Sequence, residues 1–194
     1  MAATQRSSRP YWIAALLWFL GALLIVGSGR LAALRPPGPQ FVLLGLTVAL
    51  LAAGAVFTGF RIWLAGINLR QLVALHVTRF VGIWFLVLAS RGELPAAFAL
   101  PAGWGDVVVA TGALVFVLLV PDLLARRTAL LLWNFLGLVD ILFVVATAAR
   151  FLVSAPESMR TLLVLPLGLV PSFLVPLIIA THLWLFQRLR RERV

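Results

Sequence analysis

The amino-acid sequence predicts an all-α membrane protein: a bundle of six transmembrane helices with both termini cytoplasmic. Three observations carry that expectation. Six long apolar segments run through the 194 residues. Charged residues make up 11% of the chain and hydrophobic ones 63%, whereas a soluble domain carries about 25% charge. So little polar surface cannot cover a water-soluble globule, and immersion in lipid resolves the shortfall. The arginines, finally, are spread unevenly over the connections between the segments.

The first segment runs over 11–27, behind Arg6 and Arg9. It reads as an uncleaved helix: its apolar run is long for a signal core, and no A-x-A site follows. The second runs over 41–60, where Gly45, Ala49 and Ala53 make a small-xxx-small stripe of the kind that lets helix backbones approach. The third spans 72–89. The fourth reaches spanning length only if Trp104, Gly105 and Asp106 open it, which sets it at 104–121. The fifth runs over 129–149. The sixth, 162–186, carries Pro166, Pro171 and Pro176. Each proline lacks a backbone donor, so that helix is expected to be kinked, locally unwound, or begun only after Pro166. Each segment approaches the roughly 20 residues needed to cross hydrocarbon. Helices are required there because lipid satisfies no backbone hydrogen bond. The whole of 1–194 reads as one helical domain.

Orientation follows from arginine. With a cytoplasmic N-terminus, the inner side holds Arg6, Arg9, Arg61, Arg70, Arg126, Arg127, Arg188, Arg190, Arg191 and Arg193. The outer side holds Arg30, Arg35, Arg91, Arg150 and Arg160. In short loops this excess points inward. Trp12, Trp63, Trp133 and Trp184 fall near inner boundaries and Trp104 near an outer one, as in an aromatic belt. The stretch 91–105, RGELPAAFALPAGWG, reads as a connection lying on the membrane or folded over the bundle. The net charge of +10 comes from arginines at segment ends, where anionic headgroups and not nucleic acid would meet them. Lysine is absent and cysteine is absent, which excludes disulfides, thiolate catalysis and iron–sulfur clusters.

Polar side chains interrupt four of the apolar segments: His76, Arg79, Asp106, Asp140 and His182. A charge in a bilayer costs roughly 2.5 kcal/mol or more, so each needs a partner or a task. His76 and Arg79, three residues apart, share one helix face. His76 lies ~6 Å and Arg79 ~10 Å from the inner end of the third segment by helical rise. His182 and Asn134 lie at a depth similar to that of His76. The functional reading is a polar site between the third, fifth and sixth helices. In it His76 and His182 would hold a b-type haem or a metal, and Arg79, Asn134 and Asp140 would line the interior. The alternative is that each histidine bonds a carbonyl or faces the interface. Asp140, at mid-helix, has Arg79 as its natural partner, either as a structural pair or as a proton or ion relay. Asn134 and Asp140 stand about 120° apart round their helix and cannot face one axis. Asp106 reads as the cap of the fourth helix, or as part of the site.

The strings HVTRFVGIWFL, LPAAFALPAGWGDVVVA and WNFLGLVD, covering Leu75 to Asp140, resemble uncharacterised bacterial six-helix membrane proteins. The resemblance implies a multi-pass protein of a bacterial inner membrane and names no substrate, cofactor or site residue. No H-E-x-x-H, P-loop, G-x-S-x-G or G-x-G-x-x-G is present. The expected function is therefore a small non-enzymatic membrane protein, oligomeric because six short helices seldom enclose a pathway alone. It would serve substrate or proton passage, or a sensory or accessory role. The rivals are a bis-histidine haem b electron carrier and an enzyme acting on lipid or quinone with His76, His182 and Asn134.

Overall fold

The computed structural model describes residues 9–191 and is helical almost throughout, with no strand among the described residues. Arg6 and Arg193, read in the sequence, lie outside the described residues. Six helices are long and apolar enough to cross a membrane: Arg9–Gly27, Gly38–Val56, Leu69–Ser90, Ala96–Leu119, Arg127–Ser154 and Val170–Arg191. By element these are α1 (Arg9–Gly27), α2 (Gly38–Val56), α4 (Leu69–Leu75) continued by a 3₁₀ stretch and α5 (Gly82–Ser90), α6 (Ala96–Leu119), α7 (Arg127–Ser154), and a π turn leading into α8 (Val175–Arg191). A short helix, α3 (Thr58–Gly66), runs between the second and third.

Local chemistry sets several ends. Asn68 caps α4 with its side chain on the Arg70 amide at 2.8 Å, and Gln71 returns a bond to the Asn68 amide, a capping box. Gly92, at φ +72°, takes the left-handed turn that ends α5. At the same end of the bundle as α3, arginines occupy the open carbonyls of helix C-termini. Arg70 donates to Val120 and Pro121 at 2.7 and 2.8 Å beyond α6, Arg127 to Leu189 at 3.0 Å, and Arg188 to Ala65 at 2.9 Å. A guanidinium there satisfies stranded acceptors and meets the negative end of the helix dipole.

Three expectations change. The fourth helix does not open at Trp104; it starts at Ala96, and the surface connection read over 91–105 shrinks to 91–95. Alanine-rich AAFAL propagates the helix, and Pro101 inside it costs little where neighbouring helices support the backbone. Asp106 therefore lies ten residues past the helix start and caps nothing. The sixth long helix begins after Pro166, at Val170, an outcome its prolines allowed, and its first turn, Val170–Leu174, is a π turn around Pro171. The Gly45, Ala49, Ala53 stripe packs no helix closely at Gly45, where an added β-carbon would meet nothing within 4 Å.

Three apolar clusters fill the bundle, the smallest of them Ile141, Val175, Ile178 and Ile179. Of the two larger ones, one gathers Phe85, Phe98, Leu162 and Leu163 near the α5–α6 turn, and the other gathers Leu72, Val73, Leu130 and Leu185 towards the α3 end. His76, Arg79, Asp106, Asn134 and His182 lie in sequence between the residues of these two cores on their helices, and all are buried. The polar side chains thus form a layer across the middle of the bundle.

Candidate functional site: a charge cluster beside a histidine pair

The layer begins with an irregular turn. His76–Val81 is 3₁₀ in the middle of the third long helix. With three residues per turn, His76 and Arg79 eclipse each other where an α-helix would set them 60° apart. Arg79 is fully buried. Its Nε donates to Asp106 Oδ1 at 2.6 Å, its Nη1 to the Gly137 carbonyl at 2.9 Å, and its Nη2 to Asp140 Oδ2. One guanidinium thus ties the third helix to the fourth and to the fifth. Asp106 is almost wholly buried, whereas the Asp140 side chain keeps 20% of its surface open.

One helical turn away, His76 and His182 lie against each other with ring centroids 4.1 Å apart, both fully buried. Asn134 fixes His182 twice: its Nδ2 donates to the His182 carbonyl at 3.0 Å, and its Oδ1 meets His182 Nδ1 at 2.8 Å. Because the amide nitrogen is used as a donor, Oδ1 must accept, so the His182 proton sits on Nδ1. Thr181 Oγ1 donates to backbone carbonyls of Leu177 or Ile178 and stands 3.4 Å from His76 Nε2. That geometry assigns the His76 proton to Nε2. The remaining nitrogens, His76 Nδ1 and His182 Nε2, are buried and meet no hydrogen-bond partner. Trp133 closes the side, edge-on to His76 at 5.3 Å, with its indole N–H on the Val109 carbonyl at 3.0 Å. Trp133 therefore faces the bundle and is not a belt residue.

Gly137 joins the two groups. Its carbonyl accepts from Arg79, and an added β-carbon would come within 2.7 Å of His182 Cε1 and 3.1 Å of Nε2. Glycine is also needed where the helices cross at the charges: a β-carbon on Gly82 would stand 2.5 Å from Asp106 Cβ and 2.7 Å from the Gly103 carbonyl. Sequence reasoning singled out neither these glycines nor Thr181. For Gly137 the signal was its pairing with a buried acid in GLVD, as glycine pairs with Asp106 in GWGD; Gly82 and Thr181 carried none.

The structure thus brings all six singled-out residues into one layer but sorts them into two sets. Arg79, Asp106 and Asp140 form the charge cluster, and His76, His182 and Asn134 the other. Asn134 and Asp140, on different faces of α7, serve different sets. Haem does not fit His76 and His182. Two imidazoles ligating one iron through bonds of about 2 Å hold their ring centroids about 6 Å apart with a macrocycle between them. Here the rings touch. Among the described residues no group of three or more His, Cys, Asp or Glu side chains gathers. His76, His182 and Asn134, read in the sequence as the polar groups of a surface enzyme, are all fully buried.

A protein-family model matches residues 36–190. The chain belongs to that family, described as a domain of unknown function, DUF8737. The matched DUF8737 stretch holds every residue of the polar layer, while α1 precedes it. No curated relative and no solved structure matches the chain.

Proposed function

We propose that the chain is a six-span protein of a bacterial cytoplasmic membrane, with both termini in the cytoplasm, whose buried charge cluster binds and releases a proton. The observation that carries the reading is the count of charges around Arg79. One guanidinium faces two carboxylates in the apolar middle of the bundle. The pair Arg79–Asp106 balances; the second carboxylate is left over unless it takes up a proton or a cation, because an uncompensated charge in a low-dielectric interior is costly. Asp140 is the open one and offers the exchange site. The unpartnered nitrogens His76 Nδ1 and His182 Nε2 stand next in line towards the inner end, with Gly137 touching both sets. A proton bound at that depth serves passage across the membrane, or a sensory role coupled to it, and needs no catalytic motif. A second copy of the chain covering the open side of Asp140 would complete the enclosure.

The arginine excess at the α3 end supports the orientation, and a periplasm-active reporter working when fused at Val194 would overturn it. The proton site is tested by infrared difference spectroscopy of the purified protein in lipid, stepping from alkaline to acid pH. The expected result is a protonated-carboxyl band that disappears in Asp140→Asn. A band that survives in both Asp140→Asn and Asp106→Asn, or no band in the wild type at any pH between 4 and 9 (roughly the span over which carboxylates near one charge titrate), would reject the reading.

A further inference from the structure

The α3 end of the bundle carries a cleft of about 1050 Å³ between the last turns of α2, helix α3 and the last turns of α8. Its lining carries two chemistries: Leu51, Leu64, Phe135, Leu183 and Trp184 are apolar, and Arg61, Arg188, Arg190 and Arg191 are cationic, the last three in the final turn of α8, with no acid among the described lining residues. Part of this charge is already engaged. Arg188 holds the carbonyls at the end of α3, and Arg61 reaches the Ala55 carbonyl and Thr58 at 3.3 and 3.4 Å across exposed surface. Arg190 and Arg191, both exposed, extend the cationic edge. The apolar wall does not end at the cleft. Phe135 also belongs to the exposed face of α7, which Leu132, Leu136 and Val139 share.

We infer that this cleft binds one anionic phospholipid, its phosphate on the Arg61, Arg190 and Arg191 edge and its acyl chains along Leu51, Phe135 and Leu183. The argument is charge and shape complementarity. Guanidinium forks recognise phosphate oxygens in two-point contact. The apolar side opens sideways onto a face fit for acyl chains, which a soluble phosphate ligand would leave unused. Aromatic rings at the junction, Trp184 against Phe60 at 5.9 Å, suit the boundary between headgroups and chains. The inference rests on the proposed insertion with this end at the inner leaflet.

The test titrates delipidated, detergent-purified protein with phosphatidylglycerol, phosphatidylcholine and inorganic phosphate, and counts bound molecules by native mass spectrometry. The expected result is saturable binding of one phosphatidylglycerol, weaker binding of phosphatidylcholine, and no displacement of lipid by inorganic phosphate. Arg61→Gln/Arg190→Gln/Arg191→Gln should weaken phosphatidylglycerol by on the order of 100-fold, since each surface arginine contributes about a factor of five. Ala55→Trp, which fills the cleft and leaves its charge alone, should weaken it as well and serves if the triple variant misfolds. Equal affinity for the two lipids, displacement of phosphatidylglycerol by inorganic phosphate, or full affinity in both variants would overturn the inference. Flotation with neutral vesicles separates the two readings. A protein that fails to float loses the insertion itself, whereas one that floats without preferring phosphatidylglycerol loses only this site.

Discussion

The Asp140 carboxylate is seated against the bare Cα of Gly105: a β-carbon at position 105 would overlap Oδ1 and come within 2.7 Å of Cγ. The fourth and fifth helices can therefore bring an acid to Arg79 only because position 105 has no side chain. Gly105→Ala should push Asp140 off the guanidinium and cost roughly 1–3 kcal/mol, the usual penalty of overpacking. Gly45→Ala, on an open helix face, is the control and should be neutral or slightly stabilising. Unfolding in mixed micelles by dodecyl sulfate titration measures both. Equal effects would mean that the Gly105 contact is not required.

The two acids should behave as substitutes for each other. Asp106→Asn and Asp140→Asn each leave Arg79 with one carboxylate and an amide oxygen to accept, so each should cost about 1 kcal/mol, the difference between a charged and a neutral hydrogen bond. The double variant leaves a buried guanidinium without a counter-charge and should cost roughly 3–5 kcal/mol. The cycle is thus expected to be clearly non-additive. Additive losses would show that the acids do not share Arg79.

Removing the arginine poses the reverse problem. Arg79→Gln leaves two carboxylates facing each other in an apolar interior, and a loss of roughly 3–5 kcal/mol is expected. Adding Asp106→Asn and Asp140→Asn removes the surplus charge and should recover much of that stability. A triple variant no more stable than Arg79→Gln would place the cost in packing, not in charge.

Asn134 should matter through His182. Asn134→Leu strips His182 of both side-chain bonds; the His182 carbonyl keeps its partner within α8, but the buried imidazole N–H is left unpaired, at a cost of about 1–3 kcal/mol. His182→Leu in the same background should then cost less than it does alone. The double-mutant cycle by unfolding checks this, and zero coupling would contradict the bond pattern.

Protein purified from haem-replete cells should be colourless, because rings 4.1 Å apart leave no gap for a macrocycle. A Soret band lost in His76→Ala would contradict the packing of the pair.

The six apolar segments were legible because spanning helices are read from length and hydropathy, quantities local to the chain. Helical rise converts sequence position to depth, and it put His76, Asn134 and His182 at one level, though it set that level near the inner end and left Asp106 at the outer start of its helix. The opposite azimuths of Asn134 and Asp140 came from the 100° step alone. What tertiary structure decided is which side chain meets which. Asp106 looked like a cap because GWG reads as a break. Alanine-rich AAFAL instead starts the helix at Ala96, and the close crossing of its Gly103 with Gly82 places that acid at Arg79, a partner its own sequence neighbourhood does not specify. Equal depth made His76 and His182 look like axial ligands. Only the distance between the third and sixth helices, fixed where Gly137 admits the His182 ring, shows the imidazoles in contact with no room between them. Depth is a property of one helix and can be counted along it. Partnership depends on where the helices cross, which the chain sets through side chains, and missing side chains, far apart in sequence.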